Sequence, residues 1–393
     1  MNAPVIFNRK LNISIPTNPL HGSGAVFLMA PRQSGKTTYL RHNFPKAKTY
    51  DLLDTKLSAR LLVEPSALRA EILEEKPPLV IVDEIQIVPN LLNEIHWLLE
   101  NTATKFILSG SSARKLKRNS QNLLGGRAPS VQLFPFVTQE IPSFDLDRYL
   151  NYGGIPIHYL ADTQQRTLLK AYVENYLKEE IIDEAATKNI PAFMRFLEVA
   201  AIMHGEQINY SNIASDCSVS SKTVKTYYSI LTDTLLGFEL KAWTKSTQRR
   251  MIETSKYYLF DIGLVHQLHP DIIDVTTGSS SYGKAFESFI LNEIRAYMHY
   301  QNIHKKISYW KTSSNIEVDL IIGNMDIAIE IKSSTQLRQK DFKGLRALKK
   351  EHNLRRAMII SRNEKKLRTQ DDIEIIPWQD FCTSLWSGLL LEG

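Results

Sequence analysis

Cysteine is scarce in this 393-residue chain, with only Cys217 and Cys382 present. Two thiols build neither a disulfide framework nor a metal–thiolate cluster, so a reducing compartment and a cytoplasmic protein are expected. Long hydrophobic runs are missing too: none reaches about 18 residues, which excludes a membrane-spanning helix and a membrane partner. The first residues, MNAPVIFNRKLNISI, lack the unbroken apolar core of a secretory leader. The charge is not strongly one-sided, at a net +6, so where the charges lie matters more than their sum. What is present, 43% hydrophobic and 23% charged residues, suits a globular chain. Its length exceeds one ordinary core and predicts about two to four domains.

Two stretches are locally basic. Residues 338–368 hold twelve Lys or Arg against three Asp or Glu, and Arg114, Lys115, Lys117, Arg118 and Arg127 form an acid-free cluster. Each is read either as a solvated face or as a surface for a polyanion.

The stretch AVFLMAPRQSGKTTYL (25–40) is an apolar strand, a turn and the start of a helix. The turn Pro31, Arg32, Gln33, Ser34, Gly35, Lys36, Thr37, Thr38 fits a P-loop, with Ala30 where the first glycine usually stands. Gly35 lets backbone amides close around a β-phosphate, Lys36 reaches the β/γ oxygens, and the Thr37 hydroxyl ligates Mg²⁺. PPLVIVDEIQIVPN (77–90) follows, an apolar strand ending in Asp83 and Glu84. Such a run predicts a central parallel strand, and carboxylates at its C-terminal end sit where α/β sheets bind ligands. Asp83 is expected to hold Mg²⁺ through its water shell and Glu84 to polarise the attacking water. A third strand, KFILSGSSARKL (105–116), would bring Ser109 and Ser111 near the γ-phosphate, the place of a sensor that reads hydrolysis. Arg127 in LLGGRAP is a candidate arginine finger acting across a subunit interface, or else a solvated loop arginine.

Residues 30–38 together with VIVDEIQ, ILSGSSARKL, LLGGR and YGGIP resemble, in that order, a large group of prokaryotic AAA-type ATPases. Proteins of that group carry a C-terminal domain with a restriction-endonuclease-like core. The resemblance covers nearly the whole chain and implies an ATPase, with ATP and Mg²⁺ as cofactors and homo-oligomers as the expected assembly.

The expected fold class is α/β. A P-loop parallel sheet (1–140) is followed by a helical lid (141–195), a winged helix (196–275) and an α/β nuclease-like domain (276–393). In 205–240, two helices precede a strand, and Ser220 or Ser221 can cap the second helix so that Lys222 and Lys225 are exposed. The loop TKSTQRR, with Arg249 and Arg250, would form a wing that touches phosphates. Winged helices also serve as protein-packing modules, and that alternative stays open.

EVDLIIGNMDIAIEIKSS (317–334) reads as a hairpin with Asn324 and Met325 at its tip. A symmetric hairpin pairs residues whose numbers sum to 649, setting Asp319 opposite Glu330 and Glu317 opposite Lys332 on one face. Facing carboxylates repel unless a cation lies between them. The layout resembles that of a PD-(D/E)xK nuclease, which implies that Asp319 and Glu330 would bind Mg²⁺, Lys332 would position or activate the water, and Glu287, on an apolar helix face, would complete the site. Glu317 is surplus, paired to Lys332 or solvated. The function expected is an ATP-hydrolysing protein acting on DNA with a Mg²⁺-dependent nuclease. The alternative is a regulatory ATPase switch that binds proteins and keeps an inactive nuclease-like domain.

Overall fold

The computed structural model describes residues 7–111, 124, 128–177, 189–244, 254–271 and 274–391. Two compact units are present. One comprises Met1–Phe134 with Asp233–Leu236, and the other comprises Pro135–Thr232 with Gly237–Gly393.

In the first unit the strands are β1 (Gly24–Met29), β2 (Lys48–Asp51), β3 (Leu79–Asp83), β4 (Lys105–Gly110) and β5 (Ser130–Gln132). They form one sheet in the order β2-β3-β4-β1-β5, with every pairing parallel. Helices α1 (Lys36–Asn43), α2 (Thr55–Val63), α3 (Ser66–Glu75) and α4 (Leu91–Asn101) make the crossovers. β1 is buried at every position, and β3 at all but its first, because both lie inside the sheet. That explains their unbroken apolar runs. Register places Met29 beside Gly110 and Asp51 beside Asp83, so the loops after β1, β3 and β4 leave from one edge.

The second unit begins with α5 (Leu146–Tyr152), α6 (Pro156–Leu160) and α7 (Gln165–Ala171), continued by a π-helical turn over Tyr172–Leu177. The break between α5 and α6 is the Gly-Gly-Ile-Pro segment. Gly153 ends α5 at φ 80°, and Pro156 opens α6 where its missing N–H costs nothing. Asp261 locks this turn, accepting hydrogen bonds from the N–H groups of Gly154 (2.7 Å) and Ile155 (3.2 Å), and capping the next helix through Gly263 (3.0 Å). The YGGIP motif is thus an anchor for Asp261.

Three helices follow, α8 (Ile190–Ile202), α9 (Tyr210–Asp216) and α10 (Ser221–Asp233), then the antiparallel pair β6 (Gly237–Leu240) and β7 (Lys256–Leu259) and the helix α11 (Ile262–Leu268). Ser220 caps α10 by accepting from the Thr223 N–H (3.1 Å). Aromatic rings of Phe193, Phe196, Tyr227, Tyr228 and Tyr257 fill the centre of this part.

The 21-residue helix α12 (Ser280–Tyr300) precedes β8 (Ile307–Lys311), β9 (Glu317–Ile322) and β10 (Ile327–Lys332). Then come α13 (Lys343–Glu351), β11 (Arg356–Ser361), β12 (Leu367–Arg368), β13 (Glu374–Pro377) and α14 (Trp378–Trp386). The six strands pair as β12-β13-β11-β10-β9-β8, parallel through β10, β11 and β13. The outer side of β8 is not left bare. The segment after β6 lies along it, with Tyr309 N–H donating to the Lys241 carbonyl (3.0 Å) and Trp243 N–H to the Tyr309 carbonyl (2.6 Å). An open strand edge is thereby covered.

Candidate functional site

The loop after β1 has the conformation a phosphate cradle needs. Gln33 (φ 62°) and Gly35 (φ 89°) are left-handed, and α1 starts at Lys36 without a side-chain cap, so its first amides stay open to an anion. Lys36 is 5% exposed and donates to the Ala30 carbonyl (3.0 Å), with the Glu84 carboxylate 3.6 Å away. Thr37 donates to Asp83 Oδ2 (2.7 Å), while Ser109 donates to Asp83 Oδ1. Ser109 thus holds the strand carboxylate from the end of β4.

Glu84 has φ 59°, a left-handed conformation uncommon outside glycine and characteristic of functional sites. Its carboxylate accepts from the Gln86 amide, which also donates to Ser111 Oγ (3.2 Å). Two buried polar atoms here, Ser34 Oγ and Gln86 Oε1, have no hydrogen-bond partner among the described residues. Buried polar groups are rarely left so, and both border the loop that phosphates would enter. The donor set suits Mg²⁺: a hydroxyl and a carboxylate in contact, both hard oxygen ligands.

Two residues of this site escaped the sequence reading. Arg9 donates to the carbonyl of Ser34 (3.0 Å) and to that of Phe134, bracing the loop from 25 residues upstream. Gln86, two positions past Glu84, bridges Glu84 to Ser111 because a short 3₁₀ turn over Ile85–Ile87 folds it back. Arg127 lies outside the described residues, as do Arg114 through Arg118, Arg249 and Arg250.

In the second unit the hairpin has the expected register near its turn, where Ile322, Ile321 and Leu320 pair with Ile327, Ala328 and Ile329. The ladder then stops. Asp319 turns its carboxylate inward and Oδ2 accepts the Ile331 N–H (2.7 Å), so Asp319 and Glu330 are not a ladder pair. They meet instead through Lys332, whose ammonium is 2.6 Å from Glu330 Oε1 and 3.7 Å from Asp319 Oδ2. The cation contacting both carboxylates is Lys332, on the same strand as Glu330. Glu330 Oε2 is buried and has no hydrogen-bond partner among the described residues. Burial raises the Glu330 pKa to about 8, Asp319 adds to the rise, and Lys332 opposes it.

Glu317, partly exposed, takes its partners from two other strands. It binds Lys256 of β7 (2.5 Å) and Lys311 of β8 (3.1 Å), because β9 pairs with β8 at Lys311. Glu287, from α12, accepts from the Tyr258 hydroxyl (2.5 Å) and lies 3.8 Å from Lys256. Burial raises the pKa of Glu287, Lys256 counters that rise, and the nearby Asp319 charge adds to it. Glu287, Glu317 and Asp319 line one cavity of about 200 Å³ together with Lys256 and Tyr258. Among the described residues no group of three or more His, Cys, Asp or Glu side chains is placed to hold a metal.

A second buried carboxylate of α12 is structural. Glu293 accepts from the Thr138 N–H (2.7 Å) and from the Trp386 indole (2.7 Å). The basic stretch 338–368 is partly neutralised by acids just beyond it. Arg346 pairs with Asp371 (2.7 Å), Arg356 with Glu374 (2.9 Å) and Arg368 with Asp372 (3.1 Å). The local excess of basic charge is correspondingly smaller than the sequence count.

Residues 23–142 match the family model described as AAA domain. The N-terminal region is thus similar to AAA domains. The rest of the chain matches two models described as domains of unknown function, DUF8612 over 143–276 and DUF4143 over 282–381. Uncharacterized proteins of Mycobacterium tuberculosis and Mycobacterium bovis are each 24% identical over 375 residues, 93% of this chain and 82% of theirs. An uncharacterized protein of Haemophilus influenzae is 22% identical over 49% of this chain and 54% of its own length. Among solved structures, a signal transduction ATPase with numerous domains (STAND) from Pyrococcus horikoshii, carrying a tetratricopeptide repeat sensor, is similar at 13% identity and a TM-score of 0.22. That alignment covers 77% of this chain and half of the other, too weak a likeness to carry an argument. For the AAA-type domain, the nucleotide-binding reading of loop 30–38 thus has support independent of its geometry. No helix among the described residues is long and apolar enough to cross a membrane.

Proposed function

We propose that the chain is an ATP-binding and ATP-hydrolysing AAA-type protein whose AAA domain takes MgATP at the loop after β1. The observation that carries this reading is the convergence of Lys36, Thr37, Asp83 and Glu84 at one edge of the parallel sheet. Thr37 and Asp83 would hold Mg²⁺, which on binding neutralises charge on the β- and γ-phosphate oxygens. Lys36 exchanges the Ala30 carbonyl and Glu84 for phosphate oxygens. Glu84 is thereby released to accept a proton from the attacking water, while the Gln86 amide, itself held by Ser111, keeps hold of its carboxylate. Ser109 fixes the Asp83 carboxylate, a positioning role. Glu84→Gln should bind ATP with unchanged affinity and lose turnover by at least about a hundredfold, within the range of general-base effects. Normal turnover by this variant would remove Glu84 from the mechanism.

A second reading rests on the convergence of Asp319, Glu330 and Lys332 with Glu287 nearby. We infer a PD-(D/E)xK-type centre on an α/β nuclease-like fold, acting on DNA phosphodiesters. The helix α10, with exposed Lys222 and Lys225, would serve as the recognition helix of a winged helix. A cleavage assay on single-stranded, duplex and branched DNA, with Mg²⁺ and with or without ATP, separates this from the alternative. Cutting that Asp319→Ala abolishes without touching ATP turnover supports a nuclease. No cutting under any condition favours a regulatory ATPase switch with protein partners.

A further inference from the structure

Lys256 is an unusual residue for its place. It opens β7, a strand buried throughout, and is itself 5% exposed. A lysine so buried keeps its charge only beside carboxylates. Here Glu317 lies at 2.5 Å and Glu287 at 3.8 Å, and the ammonium sits over the Tyr309 ring at 5.3 Å. Burial alone would lower the Lys256 pKa, but Glu287, Asp319 and Glu317 together raise it, so the side chain is a fixed cation. The backbone holds it there: β7 pairs with β6 across Leu240 and Lys256, and Gln207 bridges to Lys256 from the other side.

The charge balance of the cluster then follows. Four carboxylates, Glu287, Glu317, Asp319 and Glu330, face the ammonium groups of Lys256, Lys311 and Lys332. Lys332 belongs to the hairpin and contacts the inner pair, Asp319 and Glu330. Lys256 comes from about sixty residues earlier and neutralises the outer pair, Glu287 and Glu317. Its ammonium shares the 200 Å³ cavity with Asp319, the space a divalent ion bound to Asp319 would border. A divalent ion there would face the Lys256 ammonium across the same cavity, and like charges repel.

We propose that Lys256 is a built-in cation that closes the Asp319 side of this carboxylate centre to divalent metals, so that the centre takes up Mg²⁺ or Mn²⁺ only when that ammonium is removed or withdrawn. The proposal rests on the second reading for its choice of metal-binding carboxylates, Asp319 and Glu330. It does not rest on cleavage. A purely structural ion pair would hold the fold together equally well, but its loss would create no metal site.

Titration of the nucleotide-free full chain with Mn²⁺, followed by electron paramagnetic resonance, tests this. Wild type and Lys256→Arg should show no Mn²⁺ site that depends on Asp319. Lys256→Met should bind Mn²⁺ at least about tenfold more tightly than wild type, and the gain should vanish in Lys256→Met/Asp319→Asn. A folded Lys256→Met without the gain, or a gain that survives the Asp319 change, overturns the proposal. If Lys256→Met does not fold, wild type and Asp319→Asn decide: Mn²⁺ binding by wild type that Asp319→Asn abolishes overturns it, and its absence supports it. Absence of DNA cleavage would count against the nuclease reading alone and leave the Mn²⁺ result standing.

Discussion

Replacing Lys36 by Met keeps the aliphatic stem and deletes the ammonium, with two separable consequences. The first concerns ATP. The ammonium is 3.0 Å from the Ala30 carbonyl and 3.6 Å from Glu84, and both contacts would be exchanged for β- and γ-phosphate oxygens. Two charge-assisted hydrogen bonds at about 1.5–3 kcal/mol each amount to roughly 3–6 kcal/mol, or about 10²- to 10⁴-fold in Kd. The second concerns the protein without nucleotide. The Lys36 and Glu84 side chains are 4% and 9% exposed, so removal of one partner leaves a buried carboxylate opposite no cation. Breaking such a pair costs about 3–5 kcal/mol, moderated here by the Gln86 amide on the other Glu84 oxygen. Lys36→Met should therefore melt at lower temperature, whereas Lys36→Met/Glu84→Gln should regain much of that loss without regaining ATP affinity. Equilibrium binding of a fluorescent ATP analogue and thermal melting measure the two effects. A Lys36→Met variant with wild-type Kd would refute the phosphate role. A double variant no more stable than the single one would refute the buried-pair argument.

Gly153 sits at φ 80°, and a Cβ there would lie 1.9 Å from Asp261 Oδ1, so Gly153→Ala should lose about 3 kcal/mol or more of second-unit stability, read by urea melts. His158 is fully buried, and burial lowers its pKa to about 4 from an unfolded value near 6.5. A depressed histidine contributes stability that is fully present above the unfolded value and is lost as pH falls from about 6.5 toward 4. Between pH 7 and pH 5 that loss is about 2 kcal/mol. Buried Glu293, raised to about 7, shifts stability the opposite way over the same range, so the informative quantity is the difference between wild type and His158→Phe. That difference should move by about 2 kcal/mol in favour of the variant at pH 5. A pH-independent difference would mean His158 titrates normally.

Some of this architecture was legible because neighbours in sequence remain neighbours in space. The apolar runs of β1 and β3 revealed a sheet covered on both faces, and the Gly35-Lys36-Thr37 turn fixed where a helix must start. The hairpin arithmetic paired Leu320 with Ile329 correctly, since a tight turn imposes register over the next few residues. Beyond those residues the rule gave way, because the Asp319 carboxylate replaced the ladder with a side-chain hydrogen bond to Ile331. Side-chain partners drawn from distant segments had no local signal at all. Arg9 beneath the nucleotide loop and Glu293 beneath Thr138 are set by long-range packing alone. Nor did the local pattern show that the Ser109 hydroxyl donates to Asp83, a partner 26 residues away.

By itself, then, the sequence determined the parallel sheet, the phosphate loop, the acidic strand end and the one-sided charge of the hairpin, all of them features of period, turn and adjacency. Only the tertiary structure decided how those charges are compensated. A buried carboxylate must find a cation, and nothing in the local pattern says which lysine will be within reach. For Glu287 and Glu317 it is Lys256, carried in by a strand that the sequence had assigned to a different domain.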